Sequence, residues 1–232
     1  MDEQSVESVL SSCERELAEG RVPDLRALGF WRVVASVKRD PSLVARHADQ
    51  IARVDRAAFQ RAVTLHVPAL LGVLVLASGA IAGVVLLAIA GALDHPLRDI
   101  IVLAGAGALD ATTHGLSHFI VGSLVGIRFT DWFVDLPKKP QPGLKVDYAS
   151  YLRTSAASRA WMHASGAIAT KLTPFAIIPY ALAISTEGWT IALLLALGVI
   201  QIVTDVLFSV KASDWKKFRR EIRLSRASRT TP

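Results

Sequence analysis

The sequence predicts an all-α polytopic membrane protein: four transmembrane helices, an amino-terminal amphipathic helical region and a basic carboxy-terminal helix. Three observations carry that prediction. Of the 232 residues 52% are hydrophobic, mean hydropathy is +0.40, and the apolar residues are concentrated in long runs. Four runs, Val67–Leu93, Ile100–Ile127, roughly Ala160–Ser185 and Trp189–Val210, each exceed the ~20 residues that a helix needs to cross hydrocarbon. The segments between them carry very unequal positive charge.

Residues 1–65 precede the first run and predict a cytoplasmic helical region. Val6, Val9, Leu10, Cys13 and Leu17 follow helical spacing, and Gly20 is placed to end that helix. Asp40-Pro41 has the form of an N-cap followed by proline at the first helical position. Leu43, Val44, Ile51, Val54 and Phe59 then make an apolar stripe edged by Arg46, Arg53, Arg56 and Arg61, suited to packing on a cytoplasmic loop or lying on a membrane surface. With the first apolar run starting this late, no secretory signal peptide is expected. A single cysteine, Cys13, excludes an internal disulfide.

Residues 66–211 predict the four-helix transmembrane domain, and 212–232 a basic tail. The link between the first two spans (Asp94–Asp99) holds one Arg, and Ser185–Gly188 holds no Lys or Arg. The loop 128–159 holds Arg128, Lys138, Lys139, Lys145, Arg153 and Arg159, and the tail from Lys211 holds eight basic residues. By the positive-inside rule the termini and the long loop face the cytoplasm, as in a bacterial-type inner or plasma membrane. The net charge of +6 then reflects topology and contact with the lipid bilayer; it gives no reason to expect nucleic acid as a partner. Within the loop, Ile127–Val134 has β-forming composition and is followed by a breaker cluster, Pro137–Gly143, which fits a small strand pair, a membrane-edge loop or an irregular connector. The tail predicts a helix from a Ser213 cap to about Arg226.

His114 and His118 stand four residues apart in the second span, on one helix face. Ionisable groups at that depth need a functional or structural reason. The pair suits a metal ion, a polar helix–helix contact or a proton path. Asp205, on the fourth span, is a carboxylate in need of a partner: a metal, a cation or a histidine. Two histidines and that carboxylate would leave a fourth position for water. Asp110, one turn before His114, is a candidate base, ligand or orienting acceptor for His114. His163 and Lys171 lie two turns apart on the third span; Lys171 is expected to neutralise Asp110 or Asp205, and His163 to be interfacial, a third ring for the metal or a haem ligand.

The run His114-Gly-Leu-Ser-His118 through Gly126-Ile-Arg-Phe129 resembles the site-2 protease family of intramembrane zinc metalloproteases, which carries HExxH on its first core helix before a β-rich loop. Ser165–Thr170 resembles a later family motif, without its Pro or Asn. The resemblance covers roughly residues 99–211. It implies zinc held by His114, His118 and Asp205, and hydrolysis of an amide near the membrane. The bound client would be a transmembrane peptide or protein, held as an extended segment by Thr170 and the strand from Phe129 to Val134 through backbone pairing. Gly115 stands where the family has the glutamate that serves as general base, so a non-proteolytic relative or altered chemistry is expected ahead of a working peptidase. Two alternatives come from other classes: a b-type haem protein with His118 and His163 as axial ligands, and a small transporter or proton relay using Asp110, Lys171 and Asp205.

Overall fold

A computed structural model describes residues 1–135, 139–207 and 213–230. The protein is an all-α polytopic membrane protein with one small sheet. Among the described residues the helices are α1 (Glu3–Ala18), α2 (Phe30–Val37), α3 (Pro41–Ala62), α4 (Ala69–Ala90), α5 (Leu97–Leu124), α6 (Tyr148–Arg153), α7 (Ala156–Ala183), α8 (Gly188–Leu207) and α9 (Asp214–Thr230). Four helices are long and apolar enough to cross a membrane: α4, α5, α7 and the Gly188–Asp205 part of α8. The expected end of the fourth span at Val210, the basic Lys211, and Pro137 and Lys138 lie outside the described residues.

The chain divides into two compact units. One comprises Met1–Leu70, Gly122–Ser158 and Arg223–Pro232; the other comprises Leu71–Val121 and Arg159–Ile222. The loop 128–159 is therefore no free connector, because most of it folds with the amino-terminal region.

In the first unit, Asp2 caps α1 by accepting from the Ser5 amide, and Asp40 caps α3 by accepting from the amides of Ser42 and Leu43. Val6, Leu10 and Cys13 of α1, Phe30, Val33 and Val37 of α2, and Ile51 of α3 are fully buried together, with Leu152 of α6 joining the same core. The packing of α3 on the loop 128–159 is thus present, through α6. α2 was not anticipated, although Phe30, Val33, Val34 and Val37 mark one helical face.

The β-forming run is a strand, but in a sheet of three rather than a pair: β1 (Leu65–Pro68), β2 (Phe129–Asp135) and β3 (Lys139–Val146), antiparallel in the order β1-β2-β3. β2 is central: β3 pairs with it between Phe129 and Asp135, and β1 pairs with Asp131–Val134. Over Asp131–Val134 the strand therefore has no free hydrogen-bonding edge for the extended client expected along Phe129–Val134. Phe129 itself sits opposite Val146. Asp55 of α3, 3% exposed, meets Lys145 of β3 at 2.6 Å and ties helix to sheet. Burial raises the Asp55 carboxyl, against the opposing pull of Lys145.

In the second unit, all four spans contribute to one apolar cluster: Ala90 of α4, Val102 and Ala106 of α5, Ile177 and Ala181 of α7, and Leu194 of α8. The outward faces are apolar too. Val75, Ile81, Leu172 and Ile200 are each more than half exposed, as surfaces bathed in acyl chains should be. Asp99, in the first turn of α5, is fully buried; its carboxylate accepts from the Glu187 amide of the α7–α8 turn and from the Thr190 hydroxyl in the first turn of α8, and pairs with His95. Outside the spans, the hydrogen bond to Asp99 raises the pKa of His95.

Candidate metal centre

α5 holds His114 and His118 one turn apart with their rings edge to face, centroids 4.7 Å apart. Their outer nitrogens are each taken by α7. His118 Nδ1 lies 2.7 Å from the Met162 carbonyl oxygen, which only accepts, so Nδ1 carries the proton. His114 Nδ1 lies 3.0 Å from Thr170 Oγ1, and that hydroxyl gives its own proton to the Gly166 carbonyl at 2.9 Å. His114 Nδ1 is therefore the donor as well. A neutral ring at either position would therefore carry its lone pair on Nε2.

Those two lone pairs point at each other and at one carboxylate oxygen. His114 Nε2 and His118 Nε2 are 3.2 Å apart, and Asp214 Oδ2 lies 3.3 Å from the first and 3.2 Å from the second. Three electron-rich atoms converging without a cation repel one another. A proton can relieve one of the contacts, whereas a metal ion relieves all three. The corners of such a triangle lie about 1.9 Å from its centre, close to the ~2.0–2.2 Å of zinc–nitrogen and zinc–carboxylate bonds. The donor set therefore fits a borderline divalent ion of the zinc type.

Asp214 is the first residue of α9, outside the spans. Burial opposes its ionisation, but protons carried on the facing Nε2 atoms of His114 and His118, and the charge of Lys217, 3.2 Å away, hold it far below the usual carboxylate range when no metal is bound. His118 and Asp214 side chains are 15% and 16% exposed, against 44% for His114, so the centre is open on the His114 side. Gly166 is required where it stands: a β-carbon there would lie 2.4 Å from His118 Nε2 and 2.7 Å from Cδ2.

The remaining predicted site residues fall elsewhere. The carboxylate beside the histidines is Asp214, not Asp205; Asp205 faces Lys171, Oδ2 to Nζ at 2.7 Å, as an ion pair without hydrogen-bond alignment. The expected neutralisation of Asp205 by Lys171 thus replaces the expected ligand role. Asp110 receives both its contacts from Gln201 Nε2, each at 2.9 Å, so its carboxylate is engaged with α8 rather than orienting His114. Thr170 supports His114 and spends its hydroxyl proton on Gly166, which leaves no donor for a client backbone. His163 is within electrostatic reach of Lys217, Asp214, His118 and Glu221, but is not one of the three convergent donors. Gly115 faces α4, where a β-carbon would meet Leu76 Cδ1 at 2.8 Å. A glutamate at 115 would enter that contact.

Asp214 is not among the residues singled out in the sequence, where it falls at the start of a basic amphipathic tail helix. A signal was present: Asp214, Trp215, Phe218 and Glu221 recur at helical spacing among lysines and arginines. α9 uses those positions to pack on α7. Phe218 meets Trp161 edge-on at 5.7 Å, and fully buried Glu221 accepts from Arg159 Nε at 2.7 Å. Arg159, expected in the cytoplasmic loop, belongs to the first turn of α7 and is only 3% exposed.

A second group of metal-capable atoms, Glu3, Glu7 and His47, lies in the first unit, where Glu3 already pairs with Arg46 at 2.9 Å. Comparison with protein-family models, with curated proteins and with solved structures finds no match.

Proposed function

We propose that this chain is a membrane-embedded metal-binding protein on the plan of the site-2 proteases, in which His114, His118 and Asp214 hold one zinc-type divalent ion. The observation that carries the reading is the convergence of His114 Nε2, His118 Nε2 and Asp214 Oδ2, with both Nδ1 atoms engaged by α7. Such an ion, when bound, supplies Lewis-acid polarisation and acidifies a coordinated water. Thr170 and the Met162 carbonyl orient the imidazoles, and Lys217 offsets the charge of Asp214.

Binding of a metal and a membrane client is favoured over peptide hydrolysis. Gly115 has no proton-accepting group, Asp110 is bound to Gln201, and Asp205 is bound to Lys171. Intramembrane amide hydrolysis is the second reading. Its support is a three-donor set that leaves a tetrahedral position open and a half-exposed His114 beside it. The haem alternative has less support, since His118 spends Nδ1 on Met162 and turns Nε2 toward His114 and Asp214. A relay through Asp110, Lys171 and Asp205 would start from groups already paired with neighbours. The basic residues of the loop and tail support cytoplasmic termini in a bacterial-type inner membrane; a reporter fused after residue 232 that is active only on the outer side would reverse this orientation.

The test is the metal content of the detergent-purified protein. Wild type is expected to carry near-stoichiometric zinc, His118→Ala and Asp214→Asn to lose it, and Asp205→Asn to keep it. A folded wild type that takes up no metal even when zinc is offered would sink the reading. Cleavage of a transmembrane peptide that depends on His114, His118 and Asp214 would move the assignment to hydrolase, and a Soret band in the purified protein would move it to haem.

A further inference from the structure

The carboxylate that meets the imidazoles comes from a helix outside the four spans, so something must set where that helix sits. α9 runs antiparallel to α7 in a fixed register. Glu221 meets Arg159, Phe218 meets Trp161, and Asp214 meets the His118 ring that lies over Gly166. Seven residues separate Arg159 from Gly166 on α7, and seven separate Asp214 from Glu221 on α9. Seven residues are close to two helical turns, so each pair lies on one face at a matching rise of about 10 Å. A slip of one residue would turn Asp214 about 100° away from the imidazoles.

The Arg159–Glu221 pair is suited to prevent that slip. Its side chains are 3% and 0% exposed. A buried ion pair adds little net stability over an apolar pair of the same size, but it penalises strongly every register in which one charge loses its partner.

We propose that Arg159 and Glu221 are positioning residues for the metal centre: their buried contact sets the register of α9 on α7 and so places Asp214 Oδ2 against His114 and His118. This rests on the metal-binding reading above. By linkage, an ion held by all three donors also strengthens the docking of α9, and loss of the register weakens the ion's binding.

The experiment is a zinc competition titration and a Co2+ visible spectrum on the full-length protein in detergent. The variants are Glu221→Gln, Asp214→Asn and the exchanged pair, Arg159→Glu combined with Glu221→Arg. Glu221→Gln is expected to bind zinc about 10–100-fold more weakly, with a Co2+ spectrum shifted toward that of Asp214→Asn. The exchanged pair is expected to recover much of the affinity and the wild-type spectrum, while the Co2+ spectrum of folded Glu221→Gln is the readout that a role in general stability alone would leave unchanged. Wild-type affinity in folded Glu221→Gln, or an exchanged pair that binds no better than Glu221→Gln, overturns the proposal. If Glu221→Gln does not fold, the exchanged pair decides against wild type and Asp214→Asn on the same criteria. A wild type that binds no metal defeats the metal reading itself; a wild type that binds while the variants are unaffected defeats only the positioning role.

Discussion

The two compact units differ in what they turn outward. In the amino-terminal unit, Val6, Leu10, Phe30, Val33 and Ile51 are shielded completely, while pairs such as Arg46–Glu3 and Arg153–Asp49 remain at the surface. In the four-span unit, leucines, valines and isoleucines face outward, and Asp99, Thr190, Arg159 and Glu221 are among the most deeply buried side chains. Water enforces the first arrangement, because exposed apolar area costs free energy there. Acyl chains solvate apolar side chains as well as a protein core does, so in the second unit packing and polar partners decide which faces turn inward.

That contrast can be broken most severely at the donor atoms. His118→Ala and Asp214→Asn are expected to abolish stoichiometric metal binding in the four-span unit, whereas Phe30→Ala is expected to cost the other unit about 3–5 kcal/mol through a lost core side chain. Metal analysis checks the first pair, and hydrogen exchange across α1–α3 the second. Unchanged exchange in Phe30→Ala would show that burial does not carry the amino-terminal unit.

A finer test adds one methyl group. Gly166→Ala places a β-carbon within 2.7 Å of two atoms of the His118 ring, and is expected to weaken metal binding by about 10–100-fold, as losses in the supporting shell do. Gly107→Ala is the control, since a β-carbon there meets nothing within 4 Å. Equal affinities in the two variants would count against close packing of His118 on α7.

The smallest expected effect is a pH response at the link between the first two spans. His95 has its pKa raised above 6.5 by Asp99. The contact therefore contributes its full stabilisation below about pH 6.5 and loses it as pH rises through the higher folded-state value. Hydrogen exchange at the start of α5 should accelerate over that range in wild type and lose this component in His95→Gln. A pH profile identical in the two proteins would remove the coupling.

How much was legible in the sequence follows from the same contrast. In the amino-terminal unit the periodicity of Val6, Leu10, Cys13 and Leu17 and the Asp40-Pro41 cap mark real helices, because a water-facing helix must segregate its residues. The spans were legible as lengths of apolar chain, and His114 and His118 as neighbours on one face. Which carboxylate meets them was not legible. Span α8 carries apolar residues all round, so nothing in its pattern says whether Asp205 turns toward α5 or toward Lys171. Asp214 escaped for a different reason: the charge of α9 gives the average character of the helix, while one stripe of it, through Phe218 and Glu221, is buried. The three-stranded sheet was half legible, since β2 has strand composition, whereas β1 is four residues merged into the start of the first apolar run.

Asp214 follows the fourth span in chain order, and that order bears on how the protein is made. A ribosome finishes all five long helices from α3 to α8 before it reaches residue 214, so the imidazole pair enters the bilayer ahead of its acidic partner. Through that interval the membrane-inserted nascent chain holds only two of the three donors, and a transcript stopped just before α9 would yield a full set of spans with an incomplete centre. On the metal-binding reading, completion of the site waits until α9 has emerged and docked.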